Sequence, residues 1–461
     1  MFDKSVYVSR RGKLKQQLRQ GLVLLLGNED SSMNYKDNLY PFRQDSSFLY
    51  FTGLDRPGLA ALIDMDHDQE VIFGNDLTLD DIVWTGPQPS LAQQAEPAGI
   101  TDVRPSAALP AELAGARGAG RTIHFLPPYR PENILKLSAW LGFAPGAVRG
   151  HASVPLIKAV VEQRSIKSAE EVVQIEEAVD ITAAMHLAAI RGARDGMTEA
   201  QLAGVLHGIA ISAGGNLSFP TILTVHGEVL HNHYGKTVMK SGQLAICDSG
   251  AENAMHYAGD MTRTFPIGKK FTALQREMYD VVLCAQEAAV AVLRPGILFR
   301  DVHALAAQKL VEGLVAAGVM KGDPAEAVAA GAHTMVFQCG LGHMMGLDVH
   351  DMEDLGEEYV GYTEELRKSK EFGWKFLRLA RALEPGFVVT IEPGLYFIPE
   401  LMDRWRAEKK YADFINYEKL EALRYFGGIR IEEDLLITPE GSRLLGKPLA
   451  KTAAAVEELR G

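Results

Sequence analysis

The chain has 461 residues, enough for two or three domains and a sizeable core. It is 47% hydrophobic and 23% charged, as globular proteins are, and its net charge of -12 argues against nucleic acid or an anionic membrane surface as the main partner. Cys247, Cys284 and Cys339 are too few and too odd a set for a disulfide framework, and no apolar run is long enough to cross a bilayer, so a reducing, cytoplasmic location is expected.

Arg10, Arg11, Lys13, Lys15 and Arg19 precede an apolar run over 22–26. The run is short and leads into Gly27, Asn28, Glu29 and Asp30, so it reads as a buried strand and not as a signal peptide. Strands are predicted at Val23–Leu26, Phe48–Phe51, Ala60–Ile63 and Val71–Phe73, with a hairpin turn over 64–68. Residues 88–150 are rich in Ala, Pro and Gly and carry only weak helical signals. A boundary near 165 separates a smaller α/β domain, 1–165, from a domain spanning 166–461. Just past it, Ser168 and Glu171 have the spacing of a helix capping box. The helix runs to about Arg191, with Val172, Ile175, Val179, Ala183 and His186 on one stripe. Thr272 and Gln275 repeat the box, and that helix is expected to end at Pro295-Gly296. Further strands are predicted at 243–248, 388–392 and 429–437, and the mixture without strict βαβ alternation argues for α+β.

Several catalytic motifs are missing, including Gly-x-Ser-x-Gly and His-Glu-x-x-His. Gly235-Lys236-Thr237 resembles the end of a phosphate loop, but Leu230 stands where its first glycine belongs. What remains is a set of acids and histidines in apolar or glycine-rich settings: Asp248 at a strand end, Asp260, His343 and His350 in one glycine-rich run, Glu392 before Pro393-Gly394, and Glu432. A carboxylate on or beside an apolar strand is costly unless paired or bound to metal. Strand period two puts Arg430, Glu432 and Asp434 on one face. Four carboxylates and one histidine suit two hard divalent cations such as Mn²⁺ better than a structural zinc. Each residue also has a plain reading: Asp248 as a turn former, the histidines as hydrogen-bonded loop residues, Glu392-Pro393-Gly394 as a turn. On the residues alone both readings stand.

The segments around Asp248, Asp260, His343, Glu392 and Glu432 resemble, in order, the five metal-ligand motifs of the pita-bread metallopeptidases, which include methionine aminopeptidase, aminopeptidase P and prolidase. The likeness covers about 166–440. The runs 343–351 (His-Met-Met-Gly-Leu-Asp-Val-His-Asp) and 260–266 (Asp-Met-Thr-Arg-Thr-Phe-Pro) resemble the proline-specific branch, and 40–46 and 49–53 resemble its N-terminal domain. The resemblance implies a pita-bread C-terminal domain and a dinuclear peptidase cleaving before proline. It implies Xaa-Pro aminopeptidase first and prolidase as the alternative. It also implies Asp248, Asp260, His343, Glu392 and Glu432 as ligands of two metals, Mn²⁺ with Co²⁺ or Zn²⁺ as substitutes. Glu392 would move the proton, His350 would lie near the scissile carbonyl, and His231, or His233 in its place, would help hold substrate. Arg378 resembles the prolidase arginine that pairs with a dipeptide carboxylate; its other reading is a solvated helix arginine. Proline-containing peptides and a homodimer or homotetramer are implied as partners. A non-catalytic binding module and a hydrolase of creatine-type substrates share the fold, but the filled ligand positions argue against both.

Two departures stand out. The interval from Asp248 to Asp260 is one residue longer than in the best-known members, which a hairpin can absorb. Cys339 replaces a histidine of the family pattern, which raises an expectation of altered substrate contacts and of sensitivity to oxidation.

Overall fold

The computed structural model describes all 461 residues. The chain forms two compact units, one of residues 1–164 with 354–359, the other of residues 165–353 with 360–461.

In the first unit, helix α1 (Lys4–Leu18) leads into β1 (Leu22–Leu26), whose residues are almost all buried. Helix α2 (Ser46–Thr52) follows, then the hairpin β2 (Ala60–Asp64) and β3 (Gln69–Phe73), then β4 (Asp102–Arg104), α3 (Leu109–Gly118), β5 (Ile123–Phe125) and α4 (Pro131–Leu141). The strands form one mixed sheet in the order β4-β3-β2-β1-β5. Leu22, Leu24, Leu62, Val71, Phe73, Leu113 and Leu137 meet in its core. Each such side chain contributes about 1.5–3 kcal/mol on full burial. The Ala-rich stretch holds a short helix at Leu91–Ala95 and two longer ones, α3 and α4, both with a proline in the first turn where no N–H is needed.

One strand expectation is corrected here. Residues 48–51 belong to helix α2, not to a strand. Every residue of α2 is buried, so the hydrophobic pattern carries no period to tell helix from strand. The ends decide it: the Asp45 carboxylate accepts the Phe48 N–H at 2.8 Å, and Gly53 closes the helix at φ +66°.

The second unit opens with α5 (Ala169–Gly192), capped reciprocally by Ser168 and Glu171, and α6 (Glu199–Ser212), which packs against it. Strand β6 (Ile222–Thr224) pairs antiparallel with β7 (Leu244–Ser249), and β7 with β8 (Met261–Pro266). The buried stripe of α5 lies against β7 and β8. Helices α7 (Ala273–Val292) and α8 (Phe299–Ala316) pack together. A second sheet joins β9 (Val388–Ile391) to β12 (Glu433–Thr438) and β12 to β13 (Gly441–Leu444). Strands β10 (Gly394–Tyr396) and β11 (Gly428–Arg430) form a separate pair.

The continuous strand expected over 429–437 is therefore two strands. Pro393 stands between β9 and β10 and has no N–H to continue the ladder. Opposite it, the Glu432 N–H turns away to the Thr262 carbonyl at 3.1 Å. The chain changes partner there, from β10 to β9. The second helix also stops at Val292, short of Pro295-Gly296.

Candidate active site

All the singled-out residues line one cavity of about 320 Å³ in the second unit: Asp248, Asp260, His343, Glu392 and Glu432, with His231, His233, Cys339, His350 and Arg378. Asp248 comes from the end of β7 and faces Thr262 of β8 in the ladder. Asp260 lies just before β8, its N–H held by Asp434 Oδ2 at 3.1 Å. Between Asp248 and Asp260 the chain turns at Asn253–Tyr257, where His256 adopts φ +65°. Glu392 and Glu432 flank the seam at Pro393, where neither lies within a continuous ladder.

His343 is held from two sides. Its N–H donates to Thr390 Oγ1 at 3.2 Å, and its carbonyl accepts the Thr390 N–H at 3.0 Å. Nδ1–H donates to the Met344 carbonyl at 3.0 Å, which fixes the tautomer and leaves the Nε2 lone pair. Nε2 lies 3.4 Å from Asp260 Oδ2 and 3.6 Å from Glu392 Oε1. Candidate ligand atoms of Asp260, His343 and Glu432 lie within 4.8 Å of one another.

The electrostatics are those of a cation site. Burial first, and then the neighbouring carboxylates, push Asp260 and Glu432 well above the usual carboxylate range, and Glu392 is raised for the same reasons. Asp260 Oδ1 is buried with no hydrogen-bond partner. Unpaired buried carboxylate oxygens this close together are costly, and divalent cations would remove that cost. The residues present therefore fit a metal centre.

Residues beyond the expected ligand and substrate set complete the site. Arg430 is 3% exposed and donates to Asp248 Oδ2, to Tyr396 OH at 2.8 Å and to Thr262 Oγ1 at 3.1 Å. Thr262 Oγ1 in turn donates to Glu432 Oε2 at 2.6 Å. Only the alternation around Glu432 hinted at Arg430. Glu353 accepts from His350 Nδ1 at 2.6 Å and from Arg378 Nε at 3.3 Å. The His350 bond, with help from Arg378 and against the cost of burial, holds Glu353 down at about 2. Burial lowers the pKa of His350 and His231 from the ordinary histidine value, against the pull of Glu353 in the case of His350.

Two readings of single residues change. Arg378 is not on a helix; it follows a 3₁₀ turn at Trp374–Phe376 and its side chain is about one-third exposed. Cys339 lies 4.0 Å from the Tyr396 hydroxyl, and burial, reinforced by Glu392, pushes its thiol up to about 12. A thiol so raised is un-ionised at neutral pH, which lowers its nucleophilicity.

The model of metallopeptidase family M24 matches residues 173–439. The chain belongs to this family. The aminopeptidase P N-terminal domain model matches residues 7–124. The chain is 32% identical to Xaa-Pro aminopeptidase of Escherichia coli over 98% of its own length and 96% of that protein's. It is 30% identical to Xaa-Pro dipeptidase of Homo sapiens, over 96% and 90%. Its fold superposes on Zn-substituted Escherichia coli aminopeptidase P in complex with product, with TM-score 0.81, 29% identity and coverage of 100% and 98%. The M24 chain thus has the α+β fold expected of it, with an N-terminal domain of the aminopeptidase P type.

Proposed function

We propose that this M24 chain is an Xaa-Pro aminopeptidase, hydrolysing the bond between an N-terminal residue and a following proline. The observation that carries the reading is the convergence of Asp248, Asp260, His343, Glu392 and Glu432, with His231, His350 and Arg378, on one cavity. The similarity to Xaa-Pro aminopeptidase along nearly the whole chain supports it. The catalytic unit in this reading is 166–461 and the N-terminal domain 1–165, in a cytoplasmic homodimer or homotetramer.

Asp248, Asp260, His343, Glu392 and Glu432 would hold two divalent cations, Mn²⁺ with Co²⁺ or Zn²⁺ as substitutes, which supply Lewis acidity and lower the pKa of water. Glu392 is suited to take the proton of the attacking water and pass it to the leaving nitrogen: it is raised in pKa, its side chain is 21% exposed, and it lies 3.6 Å from His343 Nε2. His350, with Nδ1–H committed to Glu353, would reach the carbonyl oxygen through Nε2 and donate to it only as the imidazolium, the form the Glu353 carboxylate favours. His231 would help hold the substrate. His233, whose Nδ1–H goes to the Thr221 carbonyl at 3.3 Å and leaves Nε2, could take that role in its place. Arg430 locks Asp248, and through Thr262 also Glu432, in place. The leaving nitrogen is proline's, with a fixed φ and no N–H before cleavage, so a dedicated pocket can select it.

Prolidase is the second reading. Arg378 favours it, because a guanidinium on the cavity wall can pair with a dipeptide carboxylate. The test is hydrolysis of Gly-Pro beside a longer Xaa-Pro-Xaa peptide, after chelation and after Mn²⁺ is restored. Metal-dependent cleavage of the longer peptide supports the aminopeptidase; cleavage of the dipeptide alone makes the chain a prolidase. No cleavage of either with metal bound sinks both.

A further inference from the structure

Asp351 follows His350 directly and is buried on the side away from solvent. Its side chain and that of Lys167 are each 1% exposed, and Lys167 Nζ lies 2.9 Å from Asp351 Oδ2. The two residues lie 184 positions apart in the chain. Lys167 is fixed by its own backbone, whose N–H donates to the Gly386 carbonyl at 2.8 Å, just before Ser168 caps α5. Asp351 ties the loop 344–351 to itself. Its N–H donates to the Met344 carbonyl at 2.9 Å, and Oδ1 accepts the Asp348 N–H at 3.3 Å. Gly346 leaves the room this requires: a Cβ there would sit 2.7 Å from Asp351 Oδ2 and 3.0 Å from Lys167 Cε. The loop so closed carries His343 at one end and His350 at the other, their ring centroids 4.2 Å apart.

A fully buried Lys–Asp pair is a weak source of net stability, because desolvation of both charges offsets their attraction. What such a pair does supply is a single geometry: the ammonium must meet the carboxylate, or both are left buried and unpaired. We propose that Lys167 is a positioning residue for the reaction at this site, setting the ring of His350 through Asp351. The proposal rests on the peptidase reading above. Lys167 touches no substrate. It fixes where Asp351 stands, Asp351 fixes the 344–351 loop, and the loop presents the imidazole.

The test compares wild type with Lys167→Met and Asp351→Asn, each loaded with Mn²⁺ and assayed on an Xaa-Pro-Xaa peptide well below its melting temperature. Displacing a catalytic group by about an ångström costs about a hundredfold in rate. The expected result is a fall in kcat per folded molecule of about that size, with KM within about threefold and the metal content unchanged. Hydrogen exchange at the amides of 344–351 should quicken in both variants while α7 and α8 keep wild-type protection. Activity that merely tracks the folded fraction, or slow exchange retained at 344–351, overturns the proposal. Asp351→Asn keeps side-chain volume and an acceptor for Asp348, so it decides the matter if Lys167→Met does not fold. Absence of turnover by the wild type would sink the peptidase reading instead, and the exchange measurement would still test the loop.

Discussion

Arg430 shows how much of this site depends on residues that need not touch substrate. Its guanidinium is buried among Asp248, Tyr396 and Thr262, and each partner would be left with an unmet hydrogen bond or charge if it were cut back. Truncating one member of a buried charged network costs about 3–5 kcal/mol. Arg430→Met is therefore expected to lower the melting temperature and to weaken Mn²⁺ binding, both measurable by calorimetry. Wild-type metal affinity in that variant would remove Arg430 from the support of Asp248. Cys339 gives a second prediction at this scale. In the chelated protein at neutral pH, iodoacetamide should label exposed Cys284 and leave Cys339 unmodified, because the Cys339 thiol is held near 12. Mass spectrometry of the peptides reads the outcome, and equal labelling would contradict it.

At the scale of elements, helix α8 and the 3₁₀ turn at Ala332–Met335 bury an unusual pair. His303 and His333 are each 1% exposed, and none of their four ring nitrogens has a hydrogen-bond partner. They pack against Trp374 and Phe337, the His303–Trp374 centroids being 4.7 Å apart. Burial depresses both, to about 3 and about 4, so they are neutral when folded. The sign of the linkage follows. The unfolded chain takes up these protons below about 6.5 and the folded chain does not, so stability is whole above that pH and declines as pH falls toward the folded values. Between pH 6.5 and 5 the loss is about 2 kcal/mol for each histidine. His303→Leu should therefore be near neutral at pH 7 and stabilising at pH 5, as read by urea unfolding at both. A variant less stable than wild type at pH 5 would show that the imidazole has a partner after all. For α2, Asp45→Ala removes the cap that defines the helix and should cost about 1 kcal/mol.

Elements were legible where local chemistry was unambiguous. The capping boxes at Ser168 and Thr272 state their own structure, and β2, β3 and β7 show as short apolar runs bounded by turns. Helix α2 was not legible, because burial on all sides erases periodicity. The seam at Pro393 was not either: the proline is visible, but which strand it would have paired with is a fact of tertiary structure. The acids and histidines of the site could be picked out because carboxylates on apolar strands are rare without a reason. Glu353, Thr262 and Tyr396 could not, since each is ordinary in its local sequence and gains its meaning from a partner far along the chain.

For the molecule as a whole, the cluster of raised carboxylates makes stability a function of cation. A metal that binds only the folded state stabilises by about 2.7 kcal/mol at a hundred times its dissociation constant. Mn²⁺ should raise the melting temperature, and Asp260→Ala, which removes a central acid of the cluster, should abolish the rise. A melting temperature indifferent to chelation and to Mn²⁺ would argue that these carboxylates hold no metal.

The order of the strands has one more consequence. Asp248 and Asp260 are made early, but Glu392 and Glu432 come from strands close to the C-terminal end, and β7, β8 and β11 must meet before any of them faces the others. Synthesis at roughly 5–20 residues per second separates Asp248 from Glu432 by about ten to forty seconds. A chain whose synthesis has not reached Glu432 therefore carries no assembled site, and Asp248 and Asp260 wait that long for their partners.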